Sequence, residues 1–509
     1  MIPLLVASPL LFAFIISLLP ALGKEKLSKY LFLIGAFSPW LFISSIVQKL
    51  PLGEVVGGWE RISGIEVMVD SYSLPFLVAE LLLFTFVAVY VYGDYYPKKS
   101  ENKVYGILLL LHSGLLGAFI SRDLFNYYIY MEIASVSSFA LVAISKEKGA
   151  KKAAFRYALF SLLASYIFIL AIGIIYLKTG YLNLFLIKEN LVFSKEINVA
   201  LVLAFSSLIL KSGVFPLHFW LPDAHSKADA PISALLSGLV VKAPAYGMIL
   251  LILTFPISTL MQNILIITAF LSMFFGIAMA LIQKNSERLL AYHTVSQMGY
   301  VLLGIGLLNP LAAAYYAMAH SLFKGGLFLS VGTIAEHYGT RDLEKLSYRH
   351  NKFLMVAIAL LSLAIGGISP FIGAFGKFML VKEIDGLLKY VFYAGGIGTL
   401  TSFIKLNYYL LKRGEKVPFP FKKEVVSLSV GLLTLITGIY FYPHLQLVRD
   451  LSFIFIGFVL FYILKKLGLF EFQLSPFFPD TGSKLGREIN VYMLFLGAFL
   501  LFILFNSIH

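Results

Sequence analysis

The chain has 509 residues, 59% hydrophobic and only 13% charged, with a mean hydropathy of +0.86. A soluble domain carries roughly 25% charged residues, so this is the composition of a polytopic membrane protein. There is no cysteine, which rules out disulfides, cysteine-ligated iron–sulfur clusters and thiolate nickel or zinc sites within this chain and sends any redox chemistry to a partner.

Apolar runs recur from Ile2 onward, each long enough at ~1.5 Å per residue to cross a ~30 Å hydrocarbon core. The expected fold is all-α and polytopic, with about 14 to 16 transmembrane helices by that length criterion. The first run has no basic region before it and further spans behind it, so it reads as a retained helix, not a cleaved signal. Thirteen spans are expected near 2–22, 28–48, 72–95, 104–120, 124–144, 153–177, 199–218, 231–254, 262–283, 289–308, 311–335, 353–381 and 388–411. Beyond them, Phe419 to Pro443 and 447–466 are apolar, 475–488 is polar, and a last span follows.

The net charge of +14 is spread over short loops, which removes a nucleic-acid role. Lys24, Lys26 and Lys29 follow the first span, Lys98, Lys99 and Lys103 the third, and Lys146, Lys148, Lys151 and Lys152 the fifth. Lys284 and Arg288 follow the ninth, Arg341, Lys345, Arg349 and Lys352 the eleventh, and Lys412, Arg413, Lys416, Lys422 and Lys423 the thirteenth. Lys178, Lys188 and Lys195 after the sixth are an exception. The odd loops are therefore expected in the cytoplasm and the N-terminus outside, in a multi-pass protein of the cell membrane.

Two spans are interrupted by proline: the seventh, with Lys211 before Pro216, and the twelfth, with Pro370 before Lys377. The lysines are 166 residues apart, and Ser121 and Ser286, Leu124 and Leu289, Tyr127 and Tyr292, and Glu132 and Gln297 are each 165 apart. Paired broken spans mark internal repeats in transporters. The expected organisation is an N-terminal helical segment 1–100, a first repeat 101–255 (spans four to eight), a second repeat 256–415 (spans nine to thirteen) and C-terminal anchoring helices 416–509. Five spans per repeat is odd, so the copies would have inverted topology.

An ionisable residue at a span centre costs at least ~2.5 to 3.5 kcal/mol on insertion scales, which makes each one a functional candidate. They are Glu132, Lys211, Lys242, His293, His320, Lys324 and Lys377, a candidate proton relay. Lysine suits that chemistry because desolvation disfavours its ammonium and a nearby carboxylate favours it, and a broken helix frees backbone groups that hold water in a protein cavity. The competing structural readings are a fixed Glu132–Lys211 ion pair, a snorkelling Lys242, an interfacial His293 near a span end, and helix packing by His320 and Lys324. Glu80 is expected to bond a neighbouring helix, and Asp223 and Asp229 to be loop or cap residues.

The stretch FPLHFWLPDAHSKADAPISALLSGLVVKAPAYG resembles the signature of the antiporter-like membrane subunits shared by respiratory complex I, Mrp-type sodium/proton antiporters and energy-converting membrane-bound hydrogenases. ERLLAYHTVSQMGYVLLGIG, AHSLFKGGLFLSVGTIAEHYGTRDLEKL and SPFIGAFGKF extend the resemblance over roughly residues 65 to 410. It implies that Glu132 is the relay's entrance glutamate, Lys211 its central lysine, Lys242 the connecting lysine, His320 and Lys324 the relay on the eleventh helix, and Lys377 the site on the twelfth. Where relatives often read SSISHMG this chain reads HTVSQMG, which puts Gln297 at a frequent histidine position and a histidine at His293.

The wording around WLPDAHSKADAPISALLSG looks closest to the D-type Mrp subunit and its counterpart in archaeal membrane-bound hydrogenases or the related sulfur-reducing complex. High Lys, Ile and Leu content without cysteine fits a thermophile. The resemblance implies no cofactor and no redox site in this chain, with nickel–iron and iron–sulfur centres in partner subunits. Expected partners are further membrane subunits, small Mrp-like subunits and a peripheral redox arm. The alternatives are a component of a stand-alone sodium/proton antiporter, a complex I-type pumping subunit, or a scaffold that keeps the relay residues without using them.

Overall fold

Hydrophobic runs and polar caps together decide where the helices of this computed structural model begin and end. Residues 1–93, 101–412, 414 and 418–471 are described, with isolated positions 494, 497, 498 and 501. The polar segment 475–488, the last span apart from those four positions, and Lys98, Lys99, Arg413 and Lys416 lie outside the described residues.

The chain opens with α1 (Leu4–Leu18), α2 (Ser28–Phe37) and α3 (Trp40–Val47). The expected span 28–48 is thus interrupted at Ser38 and Pro39, because proline lacks the N–H that would continue α2. An antiparallel hairpin of β1 (Leu52–Val55) and β2 (Glu66–Val69) follows, with Leu52 opposite Val69; a search for helical spans does not reveal it. Next come α4 (Leu74–Val91), α5 (Glu101–Ile120), α6 (Leu124–Ile144), α7 (Ala150–Thr179), α8 (Leu184–Asn190), α9 (Lys195–Ser212), α10 (Trp220–Lys227) and α11 (Ala230–Leu235). A π-helical turn, Leu236–Val240, links α11 to α12 (Lys242–Thr254). Then follow α13 (Thr259–Ile282), α14 (Ser286–Gly306), α15 (Pro310–Tyr338), α16 (Lys352–Gly366), α17 (Ile372–Val381), α18 (Gly386–Leu410), α19 (Phe421–Phe441) and α20 (Leu447–Lys466).

Among the described residues ten helices, some of them joined segments, are long and apolar enough to cross a membrane. The central α9, α14 and α15 are not among the ten: α9 carries Lys195, Glu196 and Lys211, and α14 and α15 carry histidines, Gln297 and Lys324. α15 is buried along nearly its whole length and packs against α4, α11, α14, α16, α17 and α19.

Two adjacent helix pairs share one design. Asp123 accepts from the Asn126 amide at 2.8 Å to cap α6, of 21 residues, which leads into α7, of 30. Asn285 accepts from the Arg288 amide at 2.9 Å to cap α14, of 21 residues, which leads into α15, of 29. Each capping residue also forms an isolated antiparallel bridge to the segment beyond its pair, Asp123 to Asn183 and Asn285 to Asp342. Such caps satisfy amides that the first helical turn leaves open.

The broken helices follow, and both breaks read Gly-x-x-Pro: Gly213 to Pro216 and Gly367 to Pro370. Gly213 has φ of 65° and Gly367 of 81°, left-handed values that end α9 and α16. The breaks lie 154 residues apart and the lysines 166. The difference is structural: Lys211 precedes its break on α9, whereas Lys377 follows its break on α17.

The loops after the fifth, seventh, ninth and eleventh spans converge on one polar cavity of about 620 Å³, lined by Glu147, Asp229, Lys284, Glu287, Glu336 and Arg341 among others. Arg341 bridges two of them, with Nε 2.6 Å from Glu287 and Nη1 2.9 Å from Glu147. At another loop cluster, Asn309 after α14 donates to Glu383 after α17 at 3.1 Å.

Candidate functional site

The first site lies among α6, α7 and α9. Lys211 ends α9 and is buried; its Nζ lies 2.7 Å from Glu132 Oε1 and 3.2 Å from both Ser135 Oγ and Ser161 Oγ. Ser135 is one turn beyond Glu132 on α6, and Ser161 is on α7, so three helices converge on one ammonium. Ser165 Oγ donates to the same Glu132 oxygen at 2.6 Å. A small cavity beside Lys211 is lined by Ser135, Tyr157, Ser161, Val240, Ala243 and Pro244, and so reaches the residues flanking Lys242.

Lys242 is 1% exposed and follows the π turn, which was not expected inside the span 231–254. Burial excludes the snorkelling alternative, and its ammonium donates to the Ser237 carbonyl. A π turn leaves backbone carbonyls off the regular ladder, and such turns recur at functional sites. The Ser237 hydroxyl is in turn 2.7 Å from Thr294 Oγ1 of α14, which donates at 3.3 Å to the Leu290 carbonyl. Lys324 of α15 donates to that same carbonyl. Lys242 and Lys324 are thereby joined through two hydroxyls and two carbonyls.

His320 sits one turn from Lys324 on α15, fully buried, and neither of its ring nitrogens has a hydrogen-bond partner. His293 on α14 has the same character and packs against Phe403 at 4.8 Å. The alternative of an interfacial His293 is thereby excluded: about two turns into α14, its side chain is fully buried and lies against Phe403 of α18. One turn on, Gln297 accepts from Tyr316 Oη at 2.5 Å; Tyr316 stacks on Tyr300 at 5.2 Å, and the Tyr300 ring lies 5.2 Å from Lys377 Nζ. Lys377 donates to the Ile365 and Gly366 carbonyls at 3.1 and 2.9 Å, the open carbonyl end of α16.

Buried polar groups thus follow one another in three linked stretches, Glu132 to Lys211, Lys242 to Lys324, and Gln297 through Tyr316 and Tyr300 to Lys377, with a small cavity between the first two. Lys211 alone among these four lysines is paired with a carboxylate; main-chain carbonyls hold the other three. Among the described residues no group of three or more His, Cys, Asp or Glu is arranged to hold a metal ion.

The family described as NADH:quinone oxidoreductase/Mrp antiporter, TM, matches residues 121–404. The chain belongs to this family. The antiporter-like protein is 33% identical over 354 residues to the N-type subunit of the NADH-quinone oxidoreductase of Desulforudis audaxviator, covering 66% of this chain and 70% of the relative. It is 28% identical over 400 residues to the D-type subunit of the Na(+)/H(+) antiporter of Alkalihalophilus pseudofirmus, covering 75% of this chain and 79% of that one. Its fold is similar to a chain of the membrane-bound sulfane sulfur reductase, an archaeal respiratory membrane complex, with a TM-score of 0.77 at 24% identity, covering 92% of this chain and 99% of that chain.

In this antiporter-like protein several other charges join neighbouring elements. Glu80 bonds His112 of α5 at 2.5 Å, both fully buried. Asp223 lies in α10, not in a loop, 2.8 Å from Arg156 and 3.2 Å from Arg288. Asp229 precedes α11 and accepts from the Lys146 amide at 3.2 Å. Sequence reasoning passed over the hydroxyls of Ser135, Ser161, Ser237 and Thr294, whose signal is hydroxyl residues in apolar helices within a turn or so of a buried charge or histidine. It also passed over Lys405 in TSFIKLNYY, which is 1% exposed and donates to the Leu281 and Gln283 carbonyls at 2.6 and 2.7 Å.

Proposed function

We propose that this subunit translocates protons in an energy-converting redox complex of the membrane-bound hydrogenase or sulfur-reducing type, coupling electron transfer in partner subunits to proton or sodium movement. The observation that carries the reading is the buried line of Glu132, Lys211, Lys242, His320, Lys324 and Lys377, with Pro216 and Pro370 at its two helix breaks. Four lysines deep in apolar helices are costly to keep, and a single carboxylate among them does not account for them as ion pairs. A lysine that alternates between a carboxylate and carbonyl partners loads and releases a proton as those partners change. His293 belongs to the same relay beside Lys324, taking over from the position that holds Gln297.

The recurring order of capped helix pair, broken helix and long helix supports two repeats, 101–255 and 256–415, inserted from opposite sides. The basic odd loops support an outside N-terminus in the cell membrane. Similarity to the sulfane sulfur reductase chain over nearly its whole length supports a redox complex with cofactors in other subunits. The likeness to the D-type antiporter relative favours a second reading, a stand-alone antiporter. Purification of the intact complex separates them: co-elution with cysteine-rich subunits bearing nickel–iron or iron–sulfur centres is the expected result, and their complete absence would establish the antiporter.

A further inference from the structure

The last described helix, α20, lies beyond residues 121–404 that carry the family match. Yet its first turn reaches the break of the second interrupted helix. Asp450 Oδ2 accepts from the Ser369 amide at 3.0 Å and from the Ser369 hydroxyl, on the side of the break that leads into α17. The Gln446 amide donates to Ser369 Oγ at 3.0 Å. Arg449 Nη2 donates to the Gly367 carbonyl at 3.2 Å, next to the carbonyls of Ile365 and Gly366 that hold Lys377. Arg449 and Asp450 bond each other, Nε to Oδ1 at 2.9 Å.

The signs of these charges match the backbone they touch. A helix C-terminus carries partial negative charge and attracts cations, and the amides that open the next helix attract anions. Arg449 takes the carbonyl end of α16, and Asp450 takes an amide ahead of α17. The first break is finished differently: the Trp220 indole donates to the Leu210 carbonyl at 2.9 Å, and the Phe215 amide donates to the Ser272 hydroxyl at 3.2 Å. There Lys211 has its own carboxylate; at the second break Lys377 has none, and it lines a cavity with Gly367, Tyr393, Gly396, Phe453 and Arg449. Lys377 and Arg449 thus draw on one carbonyl terminus from one cavity.

We propose that α20 gates the terminal proton site, with Arg449 as a positioning residue whose fixed positive charge competes with a protonated Lys377 for the carbonyl end of α16, while Asp450 keeps the break open. A proton arriving at Lys377 places two cations on adjacent carbonyls of one helix end, Lys377 on those of Ile365 and Gly366 and Arg449 on that of Gly367. Their repulsion favours release of the proton into the cavity, and Arg449 remains to hold the terminus when Lys377 is neutral. This rests on the reading of Lys377 as a relay site.

The test measures ion uptake by vesicles carrying the assembled complex, per unit of complex. Three variants are compared: Arg449→Gln, Arg449→Lys and Lys377→Ala. The expected result is a fall of roughly tenfold in Arg449→Gln with assembly intact, uptake within about twofold of the parent in Arg449→Lys, which keeps the charge, and loss in Lys377→Ala. Normal uptake in Arg449→Gln overturns the gate, as does an Arg449→Lys variant as poor as Arg449→Gln, since that assigns the guanidinium to shape alone. Normal uptake in Lys377→Ala removes the relay reading itself and is a separate outcome. Should Arg449→Gln fail to assemble, Arg449→Gln combined with Asp450→Asn removes both charges, keeps amide hydrogen bonds across the break, and takes its place in the same comparison.

Discussion

At Lys211 the ammonium is bound to one carboxylate and two hydroxyls, supplied by α6 and α7. A fixed brace needs only that geometry, whereas a relay needs it to change. Glu132→Gln leaves an amide that still bonds Ser165 and removes the charge, so the complex should assemble while ion uptake falls at least several-fold. Breaking a buried pair outright costs about 3 to 5 kcal/mol, so failure to assemble would favour the brace. Lys377, held only by carbonyls, gives the complementary experiment: if the far site needs a titratable group, Lys377→Glu should retain more uptake than Lys377→Ala. Equal loss in the two counts against that role. Both residues were legible as charges within apolar runs; their hydroxyl and carbonyl partners were not, because serine and threonine are unremarkable in such helices.

Among the elements, the two breaks and the hairpin explain what sequence could and could not reveal. Proline announced both breaks, and the left-handed glycine three residues earlier completes each. A side chain at Gly213 would meet that strained φ and place its Cβ 2.2 Å from Leu221 Cδ1. Gly213→Ala should therefore cost about 1 to 2 kcal/mol, seen as a lowered Tm of the purified complex; an unchanged Tm contradicts this account of the break. The π turn before Lys242 was illegible, since its residues read as an unbroken apolar helix. Near the hairpin, Asp70 lies 2.7 Å from Arg122. Burial alone would raise its carboxyl, but Arg122 and the amides of Ser73 and Tyr72 outweigh that and hold it below the usual range. A depressed carboxyl stabilises the fold above its unfolded value and loses that contribution as pH falls through the lowered one. Asp70→Asn should accordingly unfold at a lower temperature than the parent at neutral pH, with the gap closing in acid; a gap independent of pH contradicts the ion-pair account.

The molecule as a whole was readable from hydropathy because lipid forces each backbone polar group to be satisfied within its own segment. The same rule hid the hairpin and the short α8 and α10, which lie between the runs. It did reveal α9, α14 and α15, which are less apolar than the other spans because they carry the polar line. That line is the central claim, and Lys211→Met tests it most directly, since methionine keeps apolar bulk and removes the ammonium. The measurement is electron-transfer turnover together with proton or sodium uptake in sealed vesicles, with Lys178→Met, an exposed residue paired to Glu196, as control. The relay predicts that Lys211→Met either slows turnover or lets it run without building a gradient, while the control does neither. Full turnover with an undiminished gradient would contradict it and leave Lys211 as a structural partner of Glu132.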